Sequence, residues 1–375
     1  MSFEILNRDT GTLARCGRLN TRRGGIETPA FMPVATSAAL KTFGSWEIEQ
    51  LGASVILSNA YHLYLRPGLE ILESAGGLHP FMGWDKPVLT DSGGYQVFSL
   101  ASMVKVEEEG IHFNAHFDGS RHFLRPEDVI DIQECIGSDI WMPLDHLVGH
   151  PSDRNKVVDA TDRTARWAQR SLEYYRRKAN LLDPEQRPLH FGIVQGGEYP
   201  DLRITSARQI VSLGFDGYAI GGLSVGEDKP VLWEKLEASV VELPQNAVRY
   251  AMGMGTLSDL VEAVARGVDL FDCTLPTRCG RNGLAFTRQG KLVVRDSPYK
   301  LDNSPLDEGC ECLVCRRYSR SYLRHLFNTK EVLGPRLVSW HNVYTYLRWM
   351  EEIRGAIREN RFGNFRNEEA LCLNP

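Results

Sequence analysis

"VRYAMGMGTLSDLVEAVARGVDLFDC", residues 248–273, holds two short apolar runs separated by a glycine-punctuated turn and a helical candidate over 256–266. The first run, "VRYAMGMG" (248–255), breaks into glycine, and the second, "VDLFDC" (268–273), ends on an acid and a thiol. Runs this short, bounded by turn residues and spaced by a helix, read as strands of a strand–helix alternation. The same pattern recurs upstream in "AFMPVAT" (30–36), "SVILSN" (54–59), "PVLTDSGG" (87–94), "SDIWMPLD" (138–145), "HFGIVQGG" (190–197) and "FDGYAIGG" (215–222). Helical candidates lie between them at 126–136, 153–179, 199–213 and 228–242. Eight alternations predict an α/β fold, a (β/α)8 TIM barrel, over a doubly wound open sheet.

Two stretches fall outside the alternation. Residues 1–28 read as a short, hairpin-like N-terminal antiparallel lead-in, and 97–125, with "FDGSR" (117–121) as a turn between strand-like runs, as a loop insertion after the third strand. From residue 284 the pattern changes to a strand-like stretch, a cysteine cluster and amphipathic helices at 316–331 and 338–360. The expected organisation is a barrel over 1–283, and a metal-binding subdomain with closing C-terminal helices over 284–375.

Composition bounds the function. The 375 residues contain no apolar run of membrane-spanning length, and the start has no secretory signal pattern. Three of the eight cysteines cluster, which reads as a metal site in a reducing compartment, so a cytoplasmic protein is expected. The net charge of −5 leaves nucleic-acid binding to local basic patches.

In a barrel of this type the active site gathers at the C-terminal strand ends, here Asn59, Asp91, Asp145, Gln195, Gly222 and Asp272. Alternation puts Val268, Leu270 and Asp272 on one face, and Asp269, Phe271 and Cys273 on the other. Branched residues suit the interior, so Asp272 is predicted to face the mouth and Cys273 the helices. Phe191, Ile193 and Gln195 repeat the pattern on the fifth strand. A single such Asp reads as a helix cap; three inward carboxylates do not. Two carboxylates at short range run a retaining displacement at an anomeric carbon, one attacking and one moving protons. A thiolate would leave a thioglycoside that turns over poorly, so chemistry also selects Asp272 as nucleophile.

"YHLYLRPG", "TDSGGYQVFSL", "GFDGYAIGGLSVGE", "FDCTLPTRCGRNG" and "CECLVC" with a later "HN" together resemble the tRNA-guanine transglycosylases, in order along nearly the whole chain. The resemblance implies an irregular (β/α)8 barrel with a zinc subdomain and a homodimer. It implies exchange of guanine at the anticodon wobble position of tRNAs with a G-U-N anticodon for a 7-deazaguanine base. On this resemblance Asp272 is the nucleophile at ribose C1′ and Asp91 the acid/base. Ser92, Gly93, Asp145, Gln195 and Gly222 bind the base, with Tyr95 and Met252 sandwiching its ring. An ionised Asp145 would accept from N1–H and the 2-amino group, while the Gln195 amide and the Gly222 N–H would donate to O6.

RNA contacts are implied for Gly253, Gly255 and Asp259 in "GMGTLSD", where a helix N-terminus would meet a phosphate. Thr277, Arg278 and Arg281 in "TRCGR" match the loop that reads bases around the wobble position. Cys310, Cys312, Cys315 and His341 match a closed tetrahedral set for one structural Zn2+. His325 reads as a surface or RNA-facing residue instead.

The chain departs from the usual bacterial pattern at two places. Cys279-Gly280 stands where "TRNAR" has Asn-Ala, and Asp145-His146-Leu147 where Asp-Glu-Cys is usual. The second departure points toward queuine in place of 7-aminomethyl-7-deazaguanine (preQ1), whereas Val225 in "GGLSVG" points away from it; the base identity stays open. Cys16, Cys135, Cys279 and Cys372 read as packing or surface residues. A retaining glycoside hydrolase would leave the arginine loop and the cysteines without a role. A non-catalytic tRNA-binding subunit would not need both acids.

Overall fold

A computed structural model describes residues 2–224 and 226–373, with side chains through residue 368. Val225 and the Cys372 side chain lie outside the described residues. All eight predicted strands form: β1 (Ala30–Pro33), β2 (Ile56–Asn59), β3 (Val88–Asp91), β4 (Ile140–Trp141), β5 (Leu189–Val194), β6 (Gly217–Ile220), β7 (Val248–Ala251) and β8 (Leu270–Cys273). They pair in parallel in the spatial order β1-β8-β7-β6-β5-β4-β3-β2. A bridge between Val34 and Leu57, with Ala35 N donating to Leu57 O at 2.7 Å, joins β1 to β2, the two ends of this order, and closes the barrel.

One buried set fills the interior. Met32, Leu57, Leu89, Ile140, Phe191, Ile193, Ala219, Tyr250 and Leu270 come from the strands, and Phe3, Leu19 and Ile26 come from the lead-in. That lead-in is a three-stranded antiparallel sheet, Phe3–Arg8, Arg15–Thr21 and Gly24–Thr28, one strand more than a hairpin. Its apolar face packs into the interior set, leaving the other end of the barrel for chemistry. Leu270 points inward and Phe271 outward, as alternation requires. Val268 packs with the outer layer, contrary to expectation, because it precedes the strand, which starts at Leu270.

The helices form where the sequence signals them. Asp153 caps Arg154–Ala179 through Asn155 N at 3.0 Å, and Arg176, Arg177 and Lys178 in the last turn suit its negative end. Pro126 and Pro200 stand at the first position of their helices, where no N–H is missed. The insertion after β3 is a three-stranded antiparallel sheet, Ser102–Val106, Ile111–Asn114 and Arg121–Leu124, turning at Ala115–Ser120.

Beyond residue 283 come a hairpin, Leu284–Thr287 and Gly290–Val293, and then the cysteine loop. The helix expected over 316–331 is divided into Leu313–Arg317 and Arg320–Asn328, because Ser319 caps the second through Tyr322 N. The next, Leu333–Arg358, starts five residues before the expected 338, since Pro335 falls in a first turn that lacks intrahelical N–H bonds. Its Tyr346, Trp349, Met350 and Ile353 share a core with Phe31, Ala251 and Phe271, so this helix serves as the barrel's own outer layer after β8.

Candidate active site

The mouth of the barrel brings together the acids predicted to lie there. Asp91 ends β3 and is 8% exposed; it accepts a hydrogen bond from Asn59 Nδ2 at the end of β2, 3.3 Å away. Burial, reinforced by the neighbouring carboxylates of Asp145 and Asp272, pushes its carboxyl up to about 7. Asp145 follows β4 and is 6% exposed. It accepts from Gln195 Nε2 at 2.7 Å and from Ser92 Oγ at 3.4 Å, and burial raises it to about 6. Asp91 thus titrates near neutral pH, as acid/base work requires, while Asp145 ionises just below it.

Asp272 is fixed differently. Tyr250 Oη donates to its Oδ1 at 2.6 Å, and Gly253 N donates to the same oxygen at 2.8 Å. Burial raises this carboxyl, and the two hydrogen bonds pull it back toward ionisation. Both hydrogen bonds fall on Oδ1, which fixes the orientation of the carboxylate and leaves Oδ2 without either donor. Cys273 turns the other way and packs with the outer layer.

The glycines at the strand ends answer to contacts. A Cβ on Gly94 would stand 2.5 Å from Asp145 Oδ1, and one on Gly93, at φ +92°, would stand 2.7 Å from Tyr61 Cβ. Gly222, at φ +64°, lies beside Gln195: its Cβ would be 3.2 Å from Oε1. Asp145, Gln195 and Gly222 therefore share one corner, a cluster of donors and acceptors that suits the polar edge of a purine-like ring. Tyr95, half exposed in the first turn of Gly94–Leu100, and Met252, just past β7, flank the mouth.

The residues expected to meet RNA divide into two kinds. Arg278 is exposed on helix Leu275–Arg281, and Arg281 keeps a buried Nη1 with no hydrogen-bond partner among the described residues. Thr277 is buried, its carbonyl accepting from Ser339 Oγ. Asp259 is also buried, 4% exposed, and holds Lys229 Nζ at 2.5 Å; as a carboxylate in a helix first turn it would repel a phosphate, so Lys229 is the cation on that side. Gly255 serves packing: a Cβ there would stand 2.2 Å from Cys273 Cβ, and its carbonyl accepts from Tyr346 Oη.

Cys310, Cys312, Cys315 and His341 converge, all four donor atoms lying within 4.8 Å of one another. The sulfurs stand 3.8, 3.5 and 3.4 Å from His341 Nδ1. A tetrahedral ion with metal–sulfur and metal–nitrogen bonds of about 2.3 and 2.0 Å needs about 3.5 Å. His341 Nε2 donates to Phe286 O at 2.8 Å, which leaves Nδ1 free of its proton to face the cysteines. The cluster can thus hold one metal ion. His325 is exposed and outside it.

Sequence reasoning missed Tyr250, Arg203 and Lys235. An inward-facing tyrosine on a barrel strand needs a buried acceptor, but the sequence does not say which. Arg203 and Lys235 left a fainter trace: each sits on its helix's buried stripe, with Ala207 and Ile210, and with Leu232 and Ser239.

The family model described as queuine tRNA-ribosyltransferase matches residues 9–371. The queuine tRNA-ribosyltransferase of Pelotomaculum thermopropionicum is 52% identical over 368 residues, covering 98% of this chain and 97% of that protein. Those of Caldanaerobacter subterraneus subsp. tengcongensis and Geobacillus kaustophilus are 50% and 49% identical, each alignment covering 96% of the relative and 98% and 99% of this chain. With the barrel, the acids at its mouth and the Cys3His cluster in place, the chain belongs to the queuine tRNA-ribosyltransferase family, a family of transferases.

Proposed function

We propose that this enzyme exchanges guanine at the wobble position of G-U-N tRNAs for a 7-deazaguanine base by double displacement. The observation that carries the reading is the contrast between Asp272, steadied by two hydrogen bonds, and Asp91, held near its proton. Asp272 Oδ2 attacks ribose C1′ as the bond to guanine breaks, and the Asp91 carboxyl gives its proton to the departing base. The Asp91 carboxylate then takes a proton from the incoming base, which displaces Asp272 from C1′. Charge on Asp272 stabilises the oxocarbenium-like transition states on both steps. Asp145, Gln195 and Gly222 read the base edge, and Tyr95 and Met252 stack on its faces.

The metal in this reading is one structural Zn2+, whose four protein ligands leave no position for substrate. It ties the cysteine loop to helix Leu333–Arg358. A cytoplasmic homodimer completes the picture; among the described residues no helix is long and apolar enough to cross a membrane.

The incoming base in the main reading is 7-aminomethyl-7-deazaguanine. One observation favours queuine as a second reading: Leu147 lines a cavity of about 280 Å³ with Val97, Phe98, Val104 and Val148, adjoining Asp145. His146 turns toward helix Arg154–Ala179, its Nδ1 accepting from Arg163 Nη1 at 3.0 Å; burial, then the Arg163 charge, lowers it to about 4, so it is neutral. Incorporation of labelled guanine into a G-U-N tRNA tests the reaction. Wild type should incorporate label and Asp272→Asn should not; label entering equally with both would sink the covalent mechanism. Competition by the two bases in the same assay names the natural one.

A further inference from the structure

Two buried cations stand behind the base corner. Arg203, on helix Pro200–Leu213, is 0% exposed, and Lys235, on helix Lys229–Val240, is 1% exposed. Taking a charge out of water is costly unless the site provides partners. Lys235 has a carboxylate partner, Glu227, at 2.9 Å. Most of the remaining hydrogen bonds run to backbone carbonyls of one turn. Arg203 Nη1 and Nη2 both donate to Gly221 O at 3.1 Å, and Nη2 also reaches Gly222 O at 3.3 Å. Lys235 Nζ donates to Gly222 O at 2.6 Å. Arg203 Nε is anchored on Gly197 O at 2.8 Å, so the guanidinium cannot follow the turn if it moves.

Peptide geometry converts these contacts into a function. The C=O and N–H of a trans peptide point in opposite directions. Both helices lie outside the barrel, so a Gly221 carbonyl drawn toward Arg203 turns the Gly222 N–H inward. Gly222 O, drawn to Lys235, does the same for the Leu223 N–H. A left-handed Gly222, at φ +64°, allows the two successive N–H groups to converge, as in the backbone nests that bind oxygen ligands. They converge beside Gln195, whose amide borders the same turn: a Cβ on Gly221 would stand 2.6 Å from Nε2.

We propose that Arg203 and Lys235 are positioning residues that lock the Gly221–Gly222 turn, so that the N–H groups of Gly222 and Leu223 form a fixed donor pair for the 6-oxygen of the exchanged base. The proposal rests on the base-exchange reading above. It makes selection for an acceptor at position 6 a property of two side chains that never touch the base.

Guanine and 2-aminopurine, which lacks the 6-oxygen, separate this role from a general one. Binding of guanine is followed by calorimetry, and binding of 2-aminopurine by its own fluorescence. Wild type should prefer guanine. Arg203→Met should weaken guanine binding about ten-fold, the worth of one to two hydrogen bonds, with 2-aminopurine binding unchanged. The KM for guanine should rise by a similar factor with kcat nearly constant, and Arg203→Lys should recover part of the loss. Where Arg203→Met fails to fold, Lys235→Met carries the same comparison, with a smaller expected loss because Arg203 still holds both carbonyls. Equal losses for both bases, or an intact guanine preference in a folded variant, overturn the clamp. Wild-type protein that binds neither base overturns the exchange reading itself, and the clamp with it.

Discussion

A carboxyl buried beside two other carboxylates keeps its proton to near-neutral pH, and in Asp91 that raised pKa costs stability as the pH rises. The unfolded chain ionises Asp91 near 3.8, whereas the folded chain holds it at about 7. Folding is unpenalised below the unfolded value. Between the two values each pH unit adds about 1.4 kcal/mol against the folded state, and above about 7 the penalty is constant. Asp91→Asn should therefore stabilise the protein by a few kcal/mol at pH 8, and the gain should vanish near pH 4, while exchange is lost. Thermal unfolding of both proteins at the two pH values checks this, and a gain independent of pH would show that Asp91 is not held protonated. The position of Asp91 was legible in the sequence, because a strand end in a barrel is a mouth. Its partners were less so: Asn59 could be named as a strand end, but Tyr250 as the support of Asp272 depends on where strands far apart in sequence lie side by side.

At the scale of elements, the unusual "TRCGR" has a packing reason. Helix Leu275–Arg281 crosses helix Leu333–Arg358 so closely that a Cβ on Gly280 would stand 2.5 Å from Ser339 Cα and 2.6 Å from its N. Those are backbone atoms, so no side-chain rotation relieves the contact. Asn342 strengthens the junction, donating from Nδ2 to Pro276 O at 3.0 Å and to Leu284 O at 2.9 Å. Gly280→Ala should push the arginine helix outward, lowering stability by about 1–3 kcal/mol and tRNA affinity with it. Denaturant unfolding and a tRNA titration on the same variant measure both, and unchanged values would mean that the helices separate without cost. The sequence could place the helix but not its neighbour. Period and capping locate helices, whereas the crossing of two helices 62 residues apart at Thr277 and Ser339 is a tertiary fact. The same limit applied at the other end, where an expected hairpin proved to be a three-stranded plug: each strand was short, and only the barrel floor gives the third one a partner surface.

For the whole molecule, a net charge of −5 opposes a polyanion at long range, so tRNA must be held by a few local contacts at the mouth. Phosphate contacts and base contacts then leave different signatures. Each phosphate contact to a single-stranded loop steepens the dependence of log affinity on log salt by about 0.7, whereas a base-edge contact changes specificity and leaves the slope alone. Arg281 and exposed Arg278 stand on the helix that follows β8, and in the proposed exchange they would meet the bases flanking the reacting nucleotide. Lys229, paired with Asp259, would in the same reading meet the backbone. Arg278→Ala and Arg281→Ala should each relax the preference for uridines beside the exchanged guanine by about 1–3 kcal/mol and preserve the salt slope. Lys229→Ala should do the reverse, flattening the slope with the preference intact. Titrations of the three variants against matched and uridine-substituted anticodon stem-loops, at several salt concentrations, separate the two behaviours. A flattened slope for both arginine variants with unchanged preference would reassign that loop from reading bases to holding phosphates. The specificity for G-U-N anticodons would then have to come from elsewhere at the mouth.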